Sequence, residues 1–284
     1  YKAVLSMDGH GLPPIEYITQ SGPFQHGSTP YDFRLLPRIV QVGFYQRGCN
    51  RLGYWDNRST LINMLRPNRL VSGAFRRGTL RKILTDGTTR DLDVVIDNGP
   101  TFAVSYNGDQ LDQGTGFIES LRFIAHDPIF YDPNQVCLIW TLLINNQLIL
   151  PFTLPFVLGS SALNDDLTFT YNGTWLSYPV IRLTGPLNGT KITHLTTGDF
   201  IKMNYNIPGG RVVTITLDYG NKTVVDNLGN NLIGTISADS DLTTFAIQPD
   251  PIVAGGVNTI NVTATGANAN SAVELAFFTK YVGI

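Results

Sequence analysis

The stretch FIESLRFIAHDPIFYDP, residues 117–133, sets a histidine beside an aspartate at His126–Asp127 and adds a second aspartate at Asp132. These are the residue types of general acid–base chemistry, which needs them within hydrogen-bond reach of one another and of a substrate. Consecutive residues on a strand point to opposite faces, so His126 and Asp127 are poorly placed to act as a dyad. Asp-Pro occurs at 127–128 and again at 132–133. A residue before proline is biased away from helix and toward extended or turn conformations. The stretch therefore reads as a strand over 117–125 that stops at His126 and leaves a domain, with Phe130 and Tyr131 folded back onto it. Leu121, Phe123 and Ala125 fall on one face of that strand.

The other candidates for chemistry are paired carboxylates at Asp91/Asp93, Asp165/Asp166 and Asp239/Asp241. Asp91 and Asp93 share a strand face and could hold a cation. The other two pairs read as solvated turn residues. A glycosidase sets two carboxyl groups across a cleft, and glutamate, one of its usual donors, occurs only at 16, 119 and 274. The four histidines (10, 26, 126, 194) show no metal-ligand spacing. GxSxG, GxGxxG and GxxxxGK[ST] are absent, which removes the commonest hydrolase and nucleotide-binding signals. No catalytic residue, metal site or cofactor is expected. Cys49 and Cys137 are isolated and read as buried apolar thiols. Asn-x-Ser/Thr occurs at Asn57, Asn172, Asn188, Asn221 and Asn261, a pattern that arises readily in a chain rich in Asn, Gly and Thr. Tyr171, Trp175 and Tyr178 could stack on a sugar ring if they stand at the surface.

What must position these residues is almost entirely strand and turn. The 284 residues are 43% hydrophobic and only 15% charged, with 28 Gly and 16 Pro. Sparse charge suits surfaces covered by neighbours, and the net charge of −2 gives no global reason to bind nucleic acid. No run of 18 apolar residues is present, so no membrane span is expected. Asp86-Gly87 between LRKILT and TTRDLDVVID predicts a hairpin. DNRSTLINMLRP predicts one helix of about ten residues, capped by Asp56, Asn57 or Ser59, striped by Leu61, Ile62 and Leu65, and stopped at Pro67. The apolar run Val136 to Leu150, broken at Asn145–Gln147, reads as two strands and a turn. Later segments (YPVIRL, KITHL, FIKMNY, RVVTITLD, KTVVD, NTINVTAT, AVELAFFTK) recur at strand spacing. Val213, Ile215 and Leu217 alternate with Thr214, Thr216 and Asp218, the mark of an antiparallel β-sandwich. Basic residues fall from 14 in 1–150 to six in 151–284. Nine of them lie between Cys49 and Arg90, against the two acids Asp56 and Asp86.

Taken in order, MDGHGLPPIEYIT, LLPRIVQVGFYQRG, RSTLINMLRPNR, GTLRKILTDGTTRDLDVVI and FIESLRFIAHDPIFYDP resemble the distal tail proteins of siphovirus-type bacteriophages. The second half, from SYPVIRLTGPLNGTKITHLTTGDFIKMNY to VNTINVTATGANANSAVELAFFTKY, is similar to the galectin-like C-terminal domain of that family. The stretch Trp140–Trp175 is longer and more hydrophobic than a plain linker.

The resemblance implies a mainly β protein of two domains. The first, 1–135, would be a β-sandwich-like ring-forming domain with one short α-helix. The second, 136–284, would be a galectin-like antiparallel β-sandwich pointing outward, reached through 136–175. It implies a non-enzymatic structural protein of the virion, at the distal end of the phage tail. Six copies would form a ring that joins the tail tube protein to tail-tip, tail-fibre or receptor-binding proteins, with phage DNA passing through in transit and host cell-wall glycan as a further partner. Closed rings need two different patches on each subunit. Arg51, Arg58, Arg66, Arg69, Arg76 and Arg77 are the expected ring or partner patch. The rival readings are a carbohydrate-binding module or adhesin working through Tyr171, Trp175 and Tyr178, and a β-sandwich glycoside hydrolase using Asp91 and Asp93.

Overall fold

A computed structural model describes residues 2–47, 49–67, 77–99, 115–142 and 161–284. The chain is mainly β, and the described residues hold one α-helix. It divides into two compact units, Tyr1–Tyr131 with Tyr281–Ile284, and Asp132–Lys280. The division falls four residues before the expected position at 135, and the last four residues return to the first unit.

In the first unit β1 (Lys2–Asp8), β4 (Arg38–Arg47), β7 (Thr115–Ala125) and β6 (Thr89–Asn98) lie side by side in that order, antiparallel. β6 is shared: its first half pairs with β5 (Gly78–Ile83) and its second half with β7. The β5–β6 hairpin turns at Asp86-Gly87 as its sequence requires. Gly87 sits at φ +82°, where a Cβ would be strained, and the Asp86 carboxylate accepts from the Thr88 amide at 2.9 Å and its hydroxyl at 2.7 Å.

Helix α1 spans Arg51–Leu65, longer than the sequence suggested, because Asn50 caps it: its side chain accepts from the Gly53 amide at 2.7 Å. An Asn in extended conformation satisfies a free first-turn donor six to nine residues earlier than Asp56, Asn57 or Ser59 could. Leu61 is buried, Leu65 half-buried and Ile62 exposed, so the inward stripe is Tyr54, Leu61 and Leu65. Val40, Val42, Phe44, Leu92, Val94, Leu121, Ala125 and Phe130 complete this core with Leu61.

The stretch 126–133 is a structural junction. His126 and Asp127 are both exposed, and the Asp127 carboxylate accepts from the Ile129 amide at 3.3 Å. Arg38, 1% exposed, gathers the segments around it. Its guanidinium donates to the carbonyls of Pro128 at 2.8 Å, Gly9 at 2.7 Å, and Gly11 and Val282 at 2.5 Å, and lies 4.6 Å from the Phe130 ring centroid. Burial lowers its pKa to about 10, so it stays charged at neutral pH. One side chain thus satisfies four carbonyls from three segments far apart in sequence. The C-terminal return is held further by the Ile284 amide on the His10 carbonyl at 3.0 Å and by Arg90 over the Tyr281 ring at 3.9 Å.

The second unit is an antiparallel sandwich. One sheet runs β16 (Ala272–Tyr281), β10 (Val180–Thr184), β13 (Val212–Thr216), β14 (Thr223–Asp226). The other runs β12 (Phe200–Lys202), β11 (Asn188–His194), β15 (Val257–Thr265), β9 (Leu163–Thr170). Ile181, Leu183, Val213, Ile215, Val273 and Leu275 from the first meet Ile192, Ile201, Ile260 and Val262 from the second in one core. β8 (Phe130–Thr141) leads in, and Trp140 is buried in that core. Two expectations fail here. Asp165 and Asp166 lie within β9, paired with Val262 and Asn261, not in a turn. Cys49 and Cys137 are exposed, not buried; Cys137 alternates with half-buried Leu138 and buried Trp140 along β8 and so falls on the opposite, exposed face. The turn expected at Asn145–Gln147 lies outside the described residues.

Candidate assembly surface

The carboxylates that could have done chemistry are already engaged. Asp91, 3% exposed, takes a bidentate bond from Arg81, Nε and Nη2 each at 2.7 Å. Asp93 accepts from the Tyr131 hydroxyl at 3.0 Å and from Thr79 at 3.3 Å. Burial first, and then Asp93, push the Tyr131 phenol up to about 12. Arg81 and Asp91 face each other across the β5–β6 ladder, so the pair is a cross-strand brace. Among the described residues no three His, Cys, Asp or Glu side chains group as metal ligands.

The sugar-stacking trio does not form a platform. Tyr171 is 3% exposed: its hydroxyl donates to the Trp175 carbonyl at 2.7 Å and accepts from the Lys280 amide at 2.8 Å, and its ring meets Phe277 edge-on. Tyr178 is half-buried against the sandwich core, with the Lys222 ammonium 5.0 Å from its ring. Trp175 is half-buried and bridges to Lys280. Tyr171 is a core residue because its ring packs with Phe277 in the sandwich core while its hydroxyl finds backbone partners there.

The expected basic patch is described only in part. Arg69 and Arg76 lie outside the described residues, and Arg51 opens α1. Arg58 stacks on Trp55 at 4.9 Å, while Arg66 and Arg77 are exposed.

Two surfaces of the first unit hold what sequence reasoning missed. The first is a ribbon of β2 (Ile15–Gln20) and β3 (Thr29–Leu35), a two-stranded sheet of its own. Its register pairs Ile15 with Leu35 and Tyr17 with Phe33 on one face, and Glu16 with Arg34 and Ile18 with Asp32 on the other; Tyr31 continues the first face past a bulge at Ile18/Thr19. The polar face carries the Arg34–Glu16 pair at 2.7 Å, which holds the Glu16 carboxyl below its usual range. On the apolar face Tyr17 is 61% and Tyr31 68% exposed. A two-stranded ribbon by itself is marginal in water. The signal was present in the alternation of IEYI and YDFRL, short of the length that flags a core strand.

At the ribbon tip, Pro23-Phe24 turns the chain, with the Gln25 amide on the Gly22 carbonyl at 3.1 Å. Phe24 holds φ +68°, the position where such turns favour glycine, and is fully exposed. A bulky residue held there costs on the order of 1–3 kcal/mol. The second surface is on α1. Leu52, Trp55 and Ile62 recur at helical spacing on a stripe beside the buried one, and all three are exposed.

Residues 172–281 match the family model described as siphovirus-type tail component, C-terminal domain, which bears out the resemblance read in the sequence over that span. No curated protein matches the sequence. Among solved structures, SPP1 Dit, described as a paradigm of the hub adsorption apparatus in phages infecting Gram-positive bacteria, shares the fold. The likeness has a TM-score of 0.65 at 15% identity and covers 99% of this chain and 93% of that one. A chain of the phage p2 baseplate in its activated conformation gives a TM-score of 0.46 at 10% identity, over 100% of this chain and 92% of that one.

Proposed function

We propose that this chain is a distal tail protein, a structural component of a bacteriophage tail tip. Its copies close into a hexameric ring that joins the tail tube to tail-tip and host-recognition proteins and leaves a hole for DNA. The match of residues 172–281 to a siphovirus-type tail component domain carries the reading. The first unit supplies the ring and the sandwich supplies contacts to host-recognition proteins. Exposed apolar surface on the first unit supports self-association, since contiguous apolar surface in water marks interaction sites. Arg51, Arg58, Arg66 and Arg77 lie along the same interface. The role is architectural, as Asp91 and Asp93 are engaged in bracing the sheet.

Light scattering after size exclusion, over a range of concentrations, tests this. A mass of six subunits, or twelve for a double ring, is expected, with a central hole in negative-stain images. A monomer at every concentration that also fails to bind tail-tube ends would sink the reading.

A further inference from the structure

We propose that the β2–β3 ribbon of one copy docks on helix α1 of the next. In this arrangement Ile15, Tyr17, Tyr31 and the projecting Phe24 cover the Leu52–Trp55–Ile62 stripe. This rests on the ring reading and names the contact that builds it.

The two surfaces lie on one unit, are both apolar, and are unlike in shape: one a flat ribbon, the other a helix stripe. If ribbon packed on ribbon, the contact would be self-complementary. It would close a dimer and leave the α1 stripe in water. Ribbon on helix is head-to-tail, covers both surfaces, and repeats until a ring closes.

Charge favours the same pairing. Residues 12–35 carry Glu16 and Asp32 against Arg34, a net of −1, while residues 50–67 carry Arg51, Arg58 and Arg66 against Asp56, a net of +2. Unlike net charges steer the two segments toward each other over distance, even though the ribbon's charges lie on the face opposite the contact.

Phe24 supplies an independent argument. The turn would form more easily with glycine at that position. The residue there is instead aromatic, fully exposed and at φ +68°. Backbone strain held at an exposed tip points to use by a partner. Aromatic rings, Phe among them, are enriched in interfaces over the rest of the surface.

The test places the photo-crosslinker p-benzoylphenylalanine at Tyr17 or at Tyr31 in the full chain, irradiates the assembled protein, and maps the joined peptides. The expected result is a ladder of covalent multimers whose links fall in residues 52–66 of a second copy. Links to another copy's ribbon or sandwich, or only within one chain, in a sample that keeps its ring mass, overturn the pairing and leave the ring reading standing. A sample that never self-associates overturns both.

Phe24→Gly supplies the second measurement. The dilute monomer should melt no lower than the parent, while the concentration for half-assembly rises at least tenfold. An unchanged half-assembly concentration removes Phe24 from the contact.

Discussion

Strand β13 and the β2–β3 ribbon are written in the same alternating code and meet opposite fates. In β13, Val213 and Ile215 are 0% and 1% exposed, because a second sheet lies on them. In the ribbon, Ile15, Tyr17 and Tyr31 share a face in an alternation interrupted only at Ile18, and stand exposed. Alternation says that a strand has an apolar face. It does not say whether the chain itself, or another copy of it, covers that face. The sandwich is finished within one chain, whereas on the proposed pairing the ribbon is finished by another copy.

The sharpest way to break that contrast is to truncate one side chain on each. Leu275→Ala, in the sandwich core, should lower stability by about 2–5 kcal/mol, the usual cost of lost burial plus a cavity. Tyr17→Ala should leave the dilute monomer within about 0.5 kcal/mol of the parent, as exposed substitutions do, and weaken only assembly. Urea unfolding of the two variants at low concentration, beside light scattering at high concentration, reads both effects. A Tyr17→Ala monomer as destabilised as Leu275→Ala would mean that the ribbon already packs within its own chain.

Acid should separate the regions next. His194, fully buried, accepts from the Thr197 amide at Nδ1 (3.2 Å), so Nε2 carries the proton and donates to the Asn258 carbonyl oxygen at 2.8 Å. A second proton would have to displace the Thr197 amide. Burial lowers the imidazole pKa from 6.5, while Asn258 and Asp199 oppose the shift. Phe245 covers the ring edge-on. Above 6.5 neither folded nor unfolded chain is protonated, and the group has no effect on stability. Below it the unfolded chain takes a proton that the fold refuses, so stability falls as pH drops, by up to about 1.4 kcal/mol per unit. The difference between parent and His194→Gln, measured by urea unfolding at pH 7.5 and pH 5, isolates this effect from His10, whose pKa burial also lowers. An identical pH dependence in both proteins would remove His194 as its source.

The smallest contrast lies in two turns. Gly87 and Phe24 both hold positive φ, +82° and +68°. Gly87→Ala should destabilise the first unit by about 1 kcal/mol, since a Cβ is strained there. Phe24→Gly should cost the monomer nothing. Thermal melts of the two variants, on the monomer, would show opposite or unequal shifts.

Much of the sandwich was legible in advance, because each strand from Val180 to Tyr281 is short, alternating and bounded by turn residues. The Asp86-Gly87 hairpin and the exit at 126–133 were legible for the same local reason: glycine and proline fix backbone angles whatever surrounds them. The α1 cap was misplaced because Asp56, Asn57, Ser59 and Asn50 are all competent caps. Tyr171 was misread as a surface aromatic because its role depends on Phe277 and Lys280, more than 100 residues away. Asp165 and Asp166 looked like turn residues because two adjacent aspartates are poor strand formers; β15 pairs with them nonetheless.

What the sequence determined by itself was periodicity and punctuation: which faces are apolar, where the chain turns, and that the fold is mainly β. Those properties are set by neighbours within a few residues. The tertiary structure alone decided which apolar faces are covered. It also joined Gly9, Gly11, Pro128 and Val282 through the buried Arg38. Burial and long-range hydrogen bonds belong to pairs of segments far apart in the chain, and no local pattern carries that information.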